Sequence, residues 1–144
     1  IQRKLFTVHF HVYASPDYIK RHGQPWDVED LDNHQILSYG TPVPNHLEEI
    51  NWLERAGRPE SDPRQPVLWI NNAHGLRRAV EQGIGIAILP DYVIPEDTHL
   101  LQVLTDTKMP EIEAYFAYAE ELRDSKRLMV FRDFLISKSR SWSF

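Results

Sequence analysis

The stretch RRAVEQGIGIAILPDYV, from Arg77 to Val93, decides the fold class because it joins a helix directly to a buried strand. Apolar or small residues recur three and four positions apart, which is the spacing of one helix face; they are Leu76, Ala79, Val80 and Gly83. Gly83 stands where a helix end favours a left-handed residue, which glycine adopts without steric cost. The apolar run from Ile84 to Leu89 then predicts a strand that Pro90 ends.

The same stretch carries a Gly-x-Gly, a pattern that also occurs in phosphate-binding loops. Those loops place their glycines after a strand and before a helix, so that helix N–H groups face the phosphate. Here the helix comes first and the strand follows. The motif therefore predicts a helix cap and argues against nucleotide binding at this position.

Composition narrows the class of protein. The chain has 144 residues, of which 42% are hydrophobic and 26% charged, which suits one compact domain with a core. It contains no apolar run long enough for a membrane span and no signal-peptide pattern, so we expect no membrane partner. The absence of cysteine excludes disulfides and makes a cytoplasmic location the simplest expectation. A net charge of −5 argues against direct nucleic-acid binding by this segment.

Strand-like and helix-like segments alternate along the chain. The predicted strands are 6–13, 35–40, 67–71, 84–89, 100–104 and 113–120, and the predicted helices are 16–22, 45–57, 73–82 and 125–138, with a helical turn near 27–34. Strands alternating with helices of about ten residues predict an α/β domain with a largely parallel sheet.

Catalytic and metal sites are not predicted. His9 and His11 lie on one face of the first strand, but a metal site needs three or four ligands and no Asp, Glu or Cys is near them in sequence. A half-exposed strand face explains the pair better. The position of Ser15 predicts a helix cap, and the sequence shows no base that could activate its hydroxyl. No nucleophile, base and orienting group occur together in a recognisable catalytic pattern. We therefore expect neither an enzyme, nor a metal, nor a cofactor.

The junction WINNAHGL is the best candidate for a binding site. A strand ends at Asn71 and a helix begins near Asn72, and ligands of open α/β sheets bind beyond the carboxyl ends of strands, beside helix N-termini. Asn71, Asn72 and His74 add side-chain donors there, and the small Ala73 leaves room. A small molecule with a carboxylate would suit the unpaired N–H groups. The alternative is that Asn72 only caps the helix, and the two interpretations are compatible.

Three segments together carry a family resemblance. VYASPDYIKRHGQPWDVEDLDNHQIL, VLWINNAHGLRRAVEQGIGIAILPDYVI, and LLQVL followed by VFRDFL occur in an order and spacing that resemble the effector-binding domain of bacterial LysR-type transcriptional regulators. The resemblance implies a two-lobed α/β fold similar to a type II periplasmic binding protein. It implies that residues 7–108 form the second lobe and that residues 109–144 return to the first. Phe6–His9 and Met109–Tyr115 would be the crossover strands.

The resemblance also implies function and partners. Members bind a small-molecule effector in a cleft between lobes, and the expected contact residues are Asn71, Asn72, Ala73 and His74, together with Thr7 and His9 on the crossover strand. The sequence begins with Ile1 inside a strand-like stretch, so we expect a longer protein whose N-terminal winged helix-turn-helix domain binds promoter DNA. A homodimer or homotetramer is implied. The alternative is a solute-binding protein of a transport system with the same fold, which a signal peptide or lipid anchor would distinguish.

Overall fold

The computed structural model describes residues 1–40, 43 and 45–142, and the chain divides into two compact units. The larger unit is Phe10–Pro110, and the smaller unit combines Ile1–His9 with Glu111–Phe144. One long strand, β1 (Gln2–Ala14), contributes its first part to the smaller unit and its second part to the larger. No helix in the described part of the chain is long and apolar enough to cross a membrane. That these units are lobes of a two-lobed protein stays a prediction.

Five strands form the framework of the larger unit. Besides the second part of β1 they are β2 (Leu37–Tyr39), β3 (Leu68–Ile70), β4 (Ala87–Pro90) and β5 (Leu101–Val103). β1 lies between β4 and β5 and is antiparallel to both, while β2 is parallel to β3. A parallel bridge between Ile36 and Ile86 connects β2 to β4. The strands therefore follow the spatial order β3, β2, β4, β1, β5.

The predicted α/β class is confirmed, but the prediction of a largely parallel sheet is wrong, because the strand pairings are mixed. The alternation of strands and helices along the sequence predicts which segments are extended. It does not predict the direction in which each strand is inserted. β1 does not begin a simple strand–helix–strand unit; it is a 13-residue strand shared by both units and antiparallel to each of its partners.

The helices of the larger unit follow the predicted positions with one difference. They are α1 (Pro16–His22), α2 (Trp52–Arg55) and α3 (Ala73–Glu81), with 3-10 turns at Asp30–Asn33, Asn45–Asn51 and Asp91–Val93. The predicted helix 45–57 is mostly 3-10 rather than α. The Asn51 side chain accepts a hydrogen bond from the backbone N–H of Tyr39 at 3.0 Å and donates one to its carbonyl at 3.2 Å.

The Gly-x-Gly after α3 is structural, as predicted. Gly83 has a φ of +69°, the left-handed conformation that ends a helix. Gly85 lies so close to the strand segment before β2 that an added Cβ would stand 2.4 Å from the Gln35 carbonyl oxygen. This close approach lets Ile86 donate to Gln35 and accept from Leu37, both at 2.9 Å, and so joins β4 to β2. The core beneath α3 is formed by Tyr13, Leu37, Leu76, Ala79, Val80, Ala87, Leu89, Val93 and Leu100.

The smaller unit pairs the first part of β1 with β6 (Glu111–Ala117) in antiparallel register and adds α4 (Lys126–Ser139). Among its described residues only Ser139 is buried, whereas the buried apolar side chains of the described chain all belong to the larger unit. Val130, Phe131 and Phe134 of α4 are 71%, 52% and 53% exposed. The smaller unit therefore presents an open apolar helix face.

Candidate functional site

Three strand ends meet at one edge of the larger unit. β2 and β3 are parallel, and the bridge between Ile36 and Ile86 makes β4 parallel to β2, so their carboxyl ends point the same way. Gly40, Asn71 and Asp91 follow these three strands directly. We call this the carboxyl edge and define it by Gly40, Asn71–His74 and Asp91. It is the part of an open α/β sheet where ligands usually bind.

Asn72 positions the start of α3 at this edge. Its backbone is extended, with φ −149° and ψ 145°, and its side-chain oxygen accepts a hydrogen bond from the Gly75 N–H at 2.6 Å. The first N–H groups of a helix have no partner within the helix, and the cap occupies only that of Gly75. Asn71, Asn72 and His74 are exposed, and Ala73 is half-buried. The four predicted residues thus lie together, three of them open to solvent; that they bind a ligand stays a prediction.

Hydrogen bonds fix the backbone at the ends of β2 and β3, next to the start of α3. Gly40 donates to the Ile70 carbonyl at 3.2 Å, which continues the β2–β3 pairing up to Asn71. The two hydrogen bonds between Asn51 and the Tyr39 backbone fix the end of β2 from the other side. Because hydrogen bonds fix the ends of both strands, they also fix the position of the start of α3.

A polar network that the sequence analysis missed lies on β1 and the turn after β4. The Asp91 carboxylate is 2.7 and 3.0 Å from the Nδ1 atom of His11 and accepts a hydrogen bond from the Tyr13 hydroxyl at 3.0 Å. Gln102 donates to the Tyr13 oxygen at 3.2 Å. His11 and Asp91 are 80 positions apart in the sequence. The sequence feature that could have indicated this network is Asp91, a carboxylate directly after a predicted strand.

Burial sets the protonation of the network at Tyr13. Only 4% of Tyr13 is exposed, and burial, together with the nearby negative charge of Asp91, raises the pKa of its hydroxyl to about 12. The hydroxyl therefore stays protonated at neutral pH and acts as a donor to Asp91. The side chain of His11, in contrast, is 38% exposed. The network thus runs from a buried phenol to an accessible imidazole.

The other two predicted contact residues, Thr7 and His9, lie in the smaller unit. Thr7 is paired with Glu113 and His9 with Glu111, and the Nδ1 atom of His9 is 3.3 Å from the Glu111 carboxylate. Each of the two strand histidines therefore faces a carboxylate that is distant in sequence. Across residues 1–40, 43 and 45–142, no group of three or more His, Asp or Glu side chains is arranged to hold a metal ion. A role of Thr7 and His9 in ligand binding stays a prediction.

A concavity of about 340 Å³ in the larger unit lies elsewhere. Its lining includes Glu81 at the end of α3, together with Ser15, Pro16, Pro95, Asp97, Thr98, His99 and Leu100. It is therefore near the C-terminus of α3, away from the N–H groups of the carboxyl edge. A carboxylate ligand has less reason to bind there, because the C-terminal end of a helix is the negative end of its dipole.

Sequence comparison identifies one family over nearly the whole chain. The sequence model of the family described as LysR substrate binding domain matches residues 1–140. The HTH-type transcriptional regulator CrgA of Neisseria meningitidis is 31% identical over 140 residues, which cover 94% of this chain and 46% of CrgA. An HTH-type transcriptional regulator of Haemophilus influenzae is 28% identical over 122 residues, covering 82% of this chain and 41% of the relative. The chain thus spans less than half the length of these relatives.

Solved structures agree in fold. The CrgA regulatory domain of Neisseria meningitidis superposes with a TM-score of 0.73 at 27% identity, covering 96% of this chain and 68% of that domain. The full-length Vibrio cholerae virulence activator AphB gives a TM-score of 0.71 at 27% identity, covering 95% of this chain and 47% of AphB. Both neighbours are described as LysR-type or LTTR-family proteins.

Proposed function

Because this chain belongs to the LysR substrate-binding domain family, we propose that it is the effector-sensing part of a LysR-type transcriptional regulator. The resemblance to HTH-type transcriptional regulators supports this function over that of a transport solute-binding protein. Since the chain spans 46% of CrgA, promoter DNA would be bound by a part of the whole protein outside these residues. A regulator of this kind works in the cytoplasm, as a homodimer or homotetramer.

The proposed effector is a small molecule that carries a carboxylate. The observation that carries this proposal is the solvent-open start of α3, where Asn72 caps one N–H and leaves the preceding ones for a ligand. A helix N-terminus has about half a positive charge, and α3 has no acidic residue in its first turn. Asn71 and His74 supply further polar side chains beside these N–H groups. An anion is therefore stabilised there both by hydrogen bonds and by charge.

Regulation requires more than binding. An effector shifts a conformational equilibrium only by the difference in its affinity for the two arrangements of the protein. The effector must therefore bind one arrangement of the whole regulator more tightly than another. The arrangement it favours would then differ in its affinity for promoter DNA.

Thermal unfolding of the whole protein with matched probes tests the proposal. Benzoate and benzylamine have similar shape and opposite charge, and a ligand at a hundredfold excess over its Kd stabilises the folded state by about 2.7 kcal/mol. We expect benzoate, succinate or hexanoate to raise the Tm, and benzylamine to leave it unchanged.

A charge-reversing variant locates the site. Asn72→Asp keeps a capping side chain but adds a negative charge beside the N–H groups, so it should abolish the carboxylate effect. Asn33→Asp, at an exposed position in the turn Asp30–Asn33, is the matched control and should respond like the wild type. Equal stabilisation of the Asn72→Asp variant and the wild type by the carboxylates would contradict the proposed site.

A further inference from the structure

We propose that His11, oriented by Asp91, is a second ligand-contacting side chain of the carboxyl edge, and that it selects an elongated effector carrying a hydroxyl group. This inference rests on the proposed function, because it concerns the same ligand. It adds a contact on β1 that neither the family resemblance nor the sequence pattern indicated. It also narrows the class of effector from carboxylates to hydroxy acids.

Strand register brings His11 to the carboxyl edge. β1 is antiparallel to β4, and His11 is paired with Leu89 and Phe10 with Pro90. The early residues of β1 in the larger unit therefore lie beside the carboxyl end of β4, where Asp91 follows. His11 and the start of α3 thus occupy the same edge of one unit.

Both groups also lie on the same face of the sheet. Side chains of a strand alternate between faces, so His11 shares a face with Tyr13. Tyr13 packs in the core cluster with Leu76 and Val80 of α3. The face that carries His11 is therefore the face that α3 covers, and the N-terminus of α3 lies above the same edge.

The network fixes the orientation of the imidazole. Asp91 approaches Nδ1 with both oxygens, and the ring of His11 meets that of Tyr13 edge-on, with centroids 6.4 Å apart and planes at 82°. Tyr13 in turn holds Asp91 through its own hydroxyl. These contacts of the described residues use Nδ1 and the ring, and they leave Nε2 for another partner. A buried phenol and a half-buried carboxylate thus orient an accessible side chain, which is the arrangement that a binding residue requires.

The chemistry of Nε2 favours a hydroxyl. With its proton on Nδ1 facing Asp91, a neutral imidazole offers Nε2 as an acceptor, and a charged imidazole offers Nε2 as a donor. A hydroxyl both donates and accepts, so it pairs with either form. A ligand carboxylate only accepts hydrogen bonds, so it pairs with the charged imidazole alone. The negative charge of Asp91 would also repel it. The carboxylate therefore belongs at α3 and the hydroxyl at His11.

The strand order limits the distance between the two ligand groups. β1 is three strands from β3, which corresponds to roughly 14 Å at the usual spacing of neighbouring strands. α3 begins at Ala73, shortly after β3 ends at Ile70, so its first N–H groups lie near the β3 end of that span. A ligand that reaches both groups must be elongated. A short hydroxy acid whose two groups sit on adjacent carbons would reach only one of them.

Matched pairs of probes test the inference on the whole protein. Benzoate is compared with para-hydroxybenzoate, and hexanoate with omega-hydroxyhexanoate, by calorimetric titration. We expect at least one hydroxylated member to bind the wild type about fivefold more tightly than its partner, since one neutral hydrogen bond contributes about 1 kcal/mol.

Two variants separate binding from structural support. His11→Asn keeps a donor near the position of Nδ1 and so preserves the contact with Asp91, but it deletes Nε2. The two members of each probe pair should therefore bind this variant with equal affinity. Tyr13→Phe keeps Nε2 but removes the hydroxyl that holds Asp91, so it should reduce the hydroxyl preference without abolishing it. A hydroxyl preference that persists in His11→Asn, or equal affinity of the wild type for both members of each pair, would overturn the inference and leave the proposed function intact. Failure of the wild type to bind any of these carboxylates would contradict the proposed function, and this inference with it.

Discussion

The side-chain oxygen of Asn72 and the backbone N–H of Gly75 are joined by a hydrogen bond of 2.6 Å. This single contact begins α3 and sets which of its N–H groups remain for other partners. The cap uses the N–H of Gly75, while Leu76 donates to the Asn72 carbonyl at 3.1 Å as the first regular turn. Cap and ligand contact are therefore compatible at one residue, and their contributions are separable by mutation.

Removing the cap should destabilise the larger unit. Asn72→Ala is expected to lower the free energy of unfolding by about 1 kcal/mol, because an N–H at the helix start loses its acceptor. Asn72→Asp should stay near the wild-type value, since aspartate caps well and complements the helix dipole. Urea denaturation measures both. An Asn72→Asp variant that is as unstable as Asn72→Ala would argue against the capping role.

Gly85→Ala should destabilise the protein, although glycine-to-alanine changes often stabilise. The added Cβ would stand 2.4 Å from the Gln35 carbonyl oxygen, and because that atom belongs to the backbone it cannot move aside easily. We expect a loss of about 1 to 3 kcal/mol, the usual cost of overpacking. Hydrogen exchange at the Leu37 and Ile86 amides should also become faster, because these amides join β2 to β4. A gain in stability would show that the approach is not tight.

Arg64 should be among the costliest side chains to remove. Its side chain is 5% exposed, and its guanidinium donates to Asp32 at 2.7 Å and to three backbone carbonyls, those of Val28, Leu53 and Ala56. Arg64→Met leaves these acceptors unpaired, and we expect a loss of about 3 kcal/mol or more in urea unfolding. Arg58→Met is the matched control.

The Arg58→Met control should show how much of the stability loss depends on the burial of the arginine. Arg58 also contacts Asp32, at 3.2 Å, but its side chain is 28% exposed, so its removal should cost much less stability than the removal of Arg64. Hydrogen bonds from Arg58 and Arg64 hold the pKa of the Asp32 carboxyl below its usual value. Equal losses for the two variants would contradict the role assigned to burial.

Lowering the pH should reduce the free energy of unfolding through protonation of His34. Burial lowers the pKa of its imidazole below the usual 6.5, and the nearby His22 lowers it further, against an opposing effect of Asp30. The unfolded chain therefore takes up this proton at a higher pH than the folded protein does. The stabilising contribution is complete above about pH 6.5 and is lost as the pH falls from there through the folded-state pKa.

Urea midpoints between about pH 8 and pH 5 measure this effect. His34→Gln should flatten part of the decline, whereas His99→Gln, at an exposed position, should follow the wild type. A decline in His34→Gln as steep as that of the wild type would assign the pH dependence to other groups.

Much of this fold could be predicted from local sequence signals. The apolar spacing from Leu76 to Gly83, the cap at Asn72 and the break at Pro90 each depend on neighbours within one or two helix turns. The structure confirms α3 and the strand that follows it. The resemblance to LysR-type regulators is confirmed by the family match over residues 1–140.

The features that escaped prediction depend on contacts distant in sequence. The antiparallel insertion of β1 is set by its pairing with three strands that follow it in the chain. The 3-10 form of residues 45–51 goes with the bonding of Asn51 to Tyr39. His11 showed no nearby acid in the sequence, because Asp91 reaches it only through the register of β1 with β4. Local sequence patterns therefore predict individual helices and strands, whereas the pairing of strands determines which side chains, such as His11 and Asp91, come together.

The proposed effector site is tested by titrating the ¹⁵N-labelled whole protein with benzoate and following the backbone amides by NMR. We predict saturable shifts that are largest at Ala73, His74 and Gly75, and that disappear in Asn72→Asp. Saturable binding of benzoate with these amides unmoved, and with the shifts concentrated elsewhere, would contradict the claim that the start of α3 receives the effector.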